Sequence, residues 1–272
     1  MSSGRKIRFT KIFGKENKAV VVACDHGMFD GPHHGMEDIP AMLKRIGDGT
    51  DAVLMSPGIL PYCTDYFGRR GAPASIVRLN FNSVFCFKWG YKASVISNLF
   101  QPEEALANGA DAVLVCLTMK TGSEATDAKN VEIFADLCGK AHRLGLPVVG
   151  EYFPHSHLTK GPEEFHEEIL MGCRMLAELG ADCIKTFYTM KFKEVTGKCP
   201  VPILGLGAEK TPTDRDALNL AEKEMRDGAS GVVFGRNAVQ ASKPAAFIQA
   251  LQDIVKRGAK AAAVTKRYGL SG

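Results

Sequence analysis

The sequence has no C-x-x-C pair, no cluster of basic residues, and no apolar run approaching the ~18 residues that a membrane-spanning helix needs. The first absence removes dithiol redox motifs and the common zinc frameworks. The second removes the basic arm or patch that a nucleic-acid-binding chain uses, and the third removes a membrane-spanning helix. The N-terminal stretch MSSGRKIRFTKIFGKENK is charged but lacks the apolar core of a secretory signal. No H-E-x-x-H is present, and no G-x-G-x-x-G follows the first apolar run. The cysteines at 24, 63, 86, 116, 138, 173, 183 and 199 sit mostly in apolar stretches, as small buried hydrophobes do. That usage fits a reducing compartment, and the expectation is a cytoplasmic protein with neither a nucleic acid nor a membrane as partner.

What is present is an ordinary globular composition, 272 residues at 45% hydrophobic and 24% charged, with a formal charge of +4. The mild positive excess favours anionic small molecules. Four stretches align on one another: GTDAVLM (49–55), GADAVLV (109–115), GADCIKT (180–186) and GASGVVF (228–234). Each opens on a glycine suited to a helix C-cap and runs into a short apolar strand. Further strands are expected at 19–24, 75–79, 147–152 and 201–204, with amphipathic helices at 128–144, 162–179, 212–227 and 242–256. Eight near-continuously apolar strands alternating with helices, in roughly 250 residues, predict a single (β/α)8 TIM barrel over residues 1–272. Residues 1–18 are expected as an N-terminal extension and 257–272 as a C-terminal tail. A doubly wound open sheet competes, weakened by the missing dinucleotide fingerprint.

Lys185 is the anomaly in this pattern. It takes the sixth place of its repeat, where the others carry Leu54, Leu114 and Val233. A random lysine in a strand points outward and pairs with a carboxylate. This one lies at the C-terminal end of the sixth barrel strand, the face on which such barrels carry their chemistry. A desolvated amine there favours its neutral form and can attack a carbonyl to form a Schiff base. Asp25, just past the first apolar run in ACDHGMFDGPHHG, is a candidate acid/base, its alternative being an Asx turn. His26, His33 and His34 share that loop, but their spacing is poor for a shared ion, and no metal or other cofactor is expected. Strands seven and eight end in ILGLGAEKT and VVFGRNAVQ. There Gly205, Gly207 and Gly235 leave backbone N–H groups accessible and Lys210 and Arg236 supply charge, the makings of a phosphate site.

The segments ACDHGMFDGPHHGMED, ADCIKTFYT, CPVPILGLGAEKT and DGASGVVFGRNAVQ resemble the matching segments of the archaeal-type class I fructose-bisphosphate aldolases. They are similar also to those of the related aminodideoxyheptulosonate synthases and autoinducer-2 phosphate thiolases. The resemblance runs from about residue 8 to the last helix. It implies a (β/α)8 barrel assembled into homo-oligomeric rings, often decamers. It also implies that Lys185 is the Schiff-base residue, Asp25 the strand-one acid/base, and Gly207, Lys210, Gly235 and Arg236 the phosphate cradle. Family aldolases end strand five in Tyr-Pro-Arg-Gly with the tyrosine as acid/base, whereas this chain reads GEYFPHSH. Aligning the prolines puts Phe153 in the tyrosine's place and Tyr152 one residue early, on the opposite face unless a bulge re-aims it. Glu151 and His155 are the alternatives. The family's Gly-Gly-Pro-Lys appears as Gly207-Ala208-Glu209-Lys210. The expected activity is that of a class I aldolase on a phosphorylated ketose, cleaving fructose 1,6-bisphosphate to dihydroxyacetone phosphate and glyceraldehyde 3-phosphate. The alternatives are a related synthase, a thiolase-like acyl transfer, and a phosphosugar-binding barrel without catalysis.

Overall fold

A computed structural model describes residues 1–91, 93–155 and 159–272. Ten strands are described: β1 (Ala19–Ala23), β2 (Ala52–Met55), β3 (Ala74–Arg78), β4 (Asn80–Asn82), β5 (Ile96–Asn98), β6 (Ala112–Leu117), β7 (Val148–Tyr152), β8 (Cys183–Thr186), β9 (Ile203–Leu206) and β10 (Gly231–Phe234). Eight of them close a parallel barrel in the order β1-β10-β9-β8-β7-β6-β3-β2, as the repeats predict. β4 and β5 form a separate antiparallel pair. Side chains alternate across each strand, so Ala19, Val21, Leu54, Leu114, Leu204 and Val233 fill the barrel interior while their neighbours pack under the helices. At the closing seam a Cβ on Gly231 would strike the Ala19 backbone, and its φ is 150°. Glycine is needed there for the two strands to approach.

The repeats have a physical purpose at the barrel's lower rim. Asp51, Asp111 and Asp182 occupy the same repeat position, and each accepts a hydrogen bond from a backbone N–H of the adjacent strand: Val20 at 2.7 Å, Ser75 at 3.0 Å and Val148 at 2.9 Å. Each thereby pins the register of one strand pair. The helix Ser3–Phe13 closes that rim. Its Lys11 pairs with Asp111 at 2.7 Å and its Arg5 with Asp182 at 3.4 Å, while Ile12 and Phe13 enter the barrel interior. Residues 1–18 are therefore built into the fold rather than appended to it. Residues 257–272 likewise carry the helix Ala261–Tyr268, packed on the helices Asp214–Arg226 and Pro244–Arg257.

Two differences from the expectation bear on the site. The seventh barrel strand starts at Ile203 rather than at 201. Pro202 has no N–H to give the ladder and supplies only its carbonyl, which accepts from the Ile184 N–H at 2.9 Å. The β4–β5 hairpin was not anticipated. It is anchored by Asn80, whose side chain both donates to the Cys116 carbonyl and accepts from the Cys116 N–H, each at 2.8 Å, standing in for a strand partner. Phe85 and Phe87 of its loop line the cavity at the upper mouth of the barrel.

Truncating Phe13 to alanine should cost about 3–5 kcal/mol, because the closed barrel floor cannot collapse into the space left. Denaturant unfolding measures this, and a loss below about 1 kcal/mol would show that the helix is not part of the core.

Candidate active site

The upper mouth holds a cavity of about 940 Å3. Its floor is set by strand alternation. Lys185 follows Cys183 and Glu151 follows Val149 on the inward face of β8 and β7, and the two residues are register partners. The Lys185 Nζ lies 2.6 Å from Glu151 Oε1. The other carboxylate oxygen of Glu151 accepts from Arg78 Nη2 at 2.6 Å, and Arg78 Nε donates to Asp25 Oδ2 at 2.5 Å. Lys185, Glu151, Arg78 and Asp25 thus form one chain of alternating charge, every member buried.

Arg78, 1% exposed, is the hub. Its guanidinium stacks on Phe85 and Phe29, with ring centroids 4.9 and 5.2 Å away. Burial favours the neutral form of Glu151, but the Arg78 and Lys185 charges outweigh it and hold the carboxyl below its ordinary range. Asp25 feels the same burial, and Arg78, Lys185 and His26 bring it well below that range. The lone desolvated amine expected at Lys185 is therefore a paired one, with a proton acceptor already in contact.

The remaining sequence-derived candidates divide. Tyr152 does not reach the cavity. β7 pairs regularly through Tyr152 with no bulge, so its ring faces outward onto Gly172 and its hydroxyl donates to Glu168 Oε1 at 3.1 Å. Burial, then Glu168, pushes that phenol far above its usual range. His155 also lies outside the cavity lining, its Nδ1 2.8 Å from Ser94 Oγ. Only Glu151 of the three faces the site, and Phe153 lines the wall beside it. The three histidines do not converge: His34 is 89% exposed beside Glu37, while His26 and His33 line the cavity. Burial pushes the His26 imidazole down to about 4 against the pull of Asp25, with Lys185 and Arg236 adding to the fall. Among the described residues no group of three or more His, Cys, Asp or Glu side chains is placed to hold a metal.

Gly207, Lys210, Gly235 and Arg236 line the cavity. Gly205 does not. Because β9 runs on to Leu206, Gly205 falls inside the strand, and next to the inward Leu204 it faces outward, against the buried Glu224. A Cβ on Gly235 would collide with the His26 ring and the Ala23 carbonyl, so this turn requires glycine. Ala208 keeps a left-handed backbone, φ 49°, where a glycine would sit without strain. Arg236 Nη2 donates to the Ala208 carbonyl at 3.1 Å. Lys210 leans toward Asp214, 3.8 Å away.

Sequence reasoning missed two residues that shape this site. Arg78 stands inside the apolar stretch SIVRL (75–79), where it is as anomalous as Lys185. Asn237 is fully buried and fastens the β9 loop to the β10 loop. It donates to the Gly207 and Glu209 carbonyls at 2.7 and 2.8 Å and accepts from the Thr211 N–H at 2.8 Å. Nothing in GRNAVQ marks it.

Arg78→Met should destabilise the fold by about 3–5 kcal/mol at neutral pH, because two buried carboxylates lose their shared cation. In the native protein both carboxylates titrate below their unfolded values. Their contribution is therefore present above the ordinary carboxylate range and is lost as pH falls through the lowered values. Without Arg78, burial raises them instead, and protonation relieves the variant. Denaturant titrations should show the gap between the two proteins narrowing from about pH 7 to about pH 4. A constant or widening gap would contradict the ionised pairing.

The model of the DeoC/LacD family aldolases matches residues 19–241. An uncharacterized aldolase of Saccharolobus solfataricus is 31% identical over 94% of this chain and 96% of its own length. A 3-hydroxy-5-phosphonooxypentane-2,4-dione thiolase of Yersinia pestis is 30% identical over 97% of this chain and 87% of its own. Among solved structures, an archaeal fructose 1,6-bisphosphate aldolase superposes with a TM-score of 0.80 at 27% identity, covering 93% of this chain and all of that one. A Schiff-base-forming fructose 1,6-bisphosphate aldolase gives 0.79 at 28%, covering 92% of this chain and 99% of its own. A closed barrel with its polar cluster at the C-terminal strand ends, matched along most of its length, leads to one conclusion: the chain belongs to the DeoC/LacD family of aldolases.

Proposed function

We propose that the chain is a Schiff-base aldolase acting on a phosphorylated ketone, with Lys185 as the imine-forming residue and Glu151 as the proton carrier. The observation that carries this reading is the 2.6 Å contact between Lys185 Nζ and Glu151 Oε1 on the inward face of neighbouring strands. The related archaeal enzyme has a structure with its catalytic lysine bound to a carbinolamine intermediate, and Lys185 is the buried lysine on the cavity floor here.

Glu151 takes a proton from the Lys185 ammonium, and the free amine pair attacks the substrate carbonyl carbon. The new C–N bond gives a carbinolamine, whose hydroxyl leaves as water after receiving a proton, producing an iminium. Glu151, again a carboxylate, takes the proton of the hydroxyl two carbons away. The C–C bond breaks, an aldehyde forms, and the bonding pair moves into the iminium to give an enamine. Protonation at carbon and hydrolysis release the phosphorylated ketone and restore the amine. Asp25 acts through Arg78, which fixes Glu151 beside the amine. The phosphate is received by the loops carrying Gly207, Lys210, Gly235 and Arg236, held in register by Asn237. Phe153 has no proton to move, so a role that the resemblance gives to a tyrosine falls to Glu151.

Borohydride with dihydroxyacetone phosphate should label the peptide spanning residues 180–189, and Lys185→Ala should abolish the label. Glu151→Gln should lower turnover by about 10² to 10⁴, whereas Tyr152→Phe should stay within about tenfold of the native enzyme. Intact mass and steady-state rates check both; the opposite ranking of the two variants would assign the proton to Tyr152. Arg236→Ala should weaken a phosphorylated substrate by about tenfold to a hundredfold and leave a non-phosphorylated analogue nearly unchanged. Equal losses on both would make Arg236 purely structural.

A further inference from the structure

Lys210 stands on the loop after β9 and lines the cavity. Its ion-pair partner among the described residues is Asp214, with Nζ 3.8 Å from Oδ1. Asp214 opens the helix Asp214–Arg226 and is 1% exposed, so its oxygens need partners. Oδ2 accepts from the Ser242 hydroxyl at 2.5 Å and from the Ser271 N–H at 3.2 Å. The Ser242 N–H is longer, 3.3 Å from Oδ2 and 3.4 Å from Oδ1. Oδ2 is therefore taken up by the two serines, and Oδ1 is the oxygen left for Lys210.

The two serines come from distant segments. Ser242 follows the short helix Arg236–Val239, on the stretch that continues from β10. Ser271 follows the helix Ala261–Tyr268, after a left-handed Gly269 at φ 57° and a buried Leu270. Besides its bond to Oδ2, Ser271 accepts the Asp214 N–H on its hydroxyl at 2.9 Å and the Arg215 N–H on its carbonyl at 3.0 Å. Those two N–H groups belong to the first helical turn and have no partner within their own helix. Thr213 and Asp216 already supply a capping box, so the tail is a second fastening at the same helix start. Burial raises the Asp214 carboxyl, but its bonds from Ser242 and Ser271 outweigh this and hold it below its ordinary range. Lys210 therefore faces an anion that the tail keeps in place.

We propose that Ser271, acting through Asp214, is a positioning residue for the substrate phosphate: the tail seats the carboxylate that keeps the Lys210 ammonium at the cavity wall. The inference rests on the reading of Lys210 as part of the phosphate cradle and deepens it by naming what holds the lysine. A lysine on a loop samples many rotamers, and fixing one of them on binding costs affinity. At 3.8 Å the carboxylate restrains the amine without a close hydrogen bond, which leaves its donors for a phosphate oxygen. Asp214 also joins the β9 loop, through Lys210, to the stretch after β10, through Ser242, so one anchored side chain ties the tail to both loops of the cradle.

The test uses the full chain and borohydride trapping followed by intact mass. It reads the donor concentration at which the Lys185 adduct is half-maximal, for dihydroxyacetone phosphate and for dihydroxyacetone. Asp214→Asn keeps an acceptor oxygen for the two serines and should turn an amide NH2 toward Lys210. It should raise the half-maximal concentration of dihydroxyacetone phosphate by about tenfold and leave that of dihydroxyacetone within about twofold. Ser271→Ala should raise the first by about threefold, and Ser271→Thr, which keeps the hydroxyl, should restore it. In a Lys210→Ala background, itself weakened for dihydroxyacetone phosphate, Asp214→Asn should add less than about twofold. Three outcomes overturn the positioning role and leave the Schiff base standing: unchanged or tighter use of dihydroxyacetone phosphate in Asp214→Asn, equal losses on both donors in Asp214→Asn and Ser271→Ala, or a full Asp214→Asn effect without Lys210. An unchanged Lys210→Ala chain removes Lys210 from the cradle, and this inference with it. Absence of any adduct on the native chain overturns the Schiff-base reading and this inference together.

Discussion

One buried guanidinium governs the geometry of this site. Arg78 reaches Asp25 from β3 on one side and Glu151 on the other, and Glu151 in turn holds Lys185. Two carboxylates and an amine at the dry end of a barrel would otherwise sit at a high desolvation cost, and each would lower that cost by neutralising itself. The alternating chain keeps both carboxylates and the guanidinium charged, and it does so by placing them on or just past strands whose register is fixed elsewhere. That register is set at the opposite rim by Asp51, Asp111 and Asp182, and by the helix Ser3–Phe13 that pairs with two of them. Stability at the bottom of the barrel and chemistry at the top are linked through the straight strands between them.

The reacting groups therefore require little rearrangement to begin. In the proposed reading, the proton acceptor for the amine is already in contact with it. Specificity is left to the loops. Gly207 and Gly235 line the cavity with Lys210 and Arg236, and phenylalanine rings from five segments line it beside them. In the proposed reading, the strands hold the reacting groups and the loops face what arrives there.

Much of this was legible in the residues. The Gly-x-Asp repeats expose the strand starts, and the substitution of Lys185 for an aliphatic residue at one repeat position marks the floor of the site. The period-2 rule applied to GEYFPHSH separates Glu151 from Tyr152 once β7 is known to be free of a bulge. Other features depend on contacts that local pattern does not carry. Asn80 substitutes for a strand partner through a residue 36 positions away, so the β4–β5 hairpin has no local periodicity to reveal it. Gly205 was misplaced because β9 continues to Leu206, which puts that glycine within the strand on the face opposite Leu204. Asn237 acts through carbonyls on a loop 30 positions earlier in the chain. Arg78 was visible, a charge in an apolar strand at the barrel's reactive end, and it follows from the same physical reasoning that singled out Lys185.

The most direct test is a crystal structure of the borohydride-trapped adduct with dihydroxyacetone phosphate. The reduced C–N bond should be found on Lys185 and the phosphate on the loops of Gly207 and Gly235. Arg78 should still bridge Asp25 and Glu151, with a Glu151 carboxylate oxygen within about 3 Å of the substrate oxygen or reacting carbon. An adduct on Lys185 with Glu151 swung away, Arg78 released from it, and another residue in contact with the substrate hydroxyl would contradict the role given to the buried charge chain.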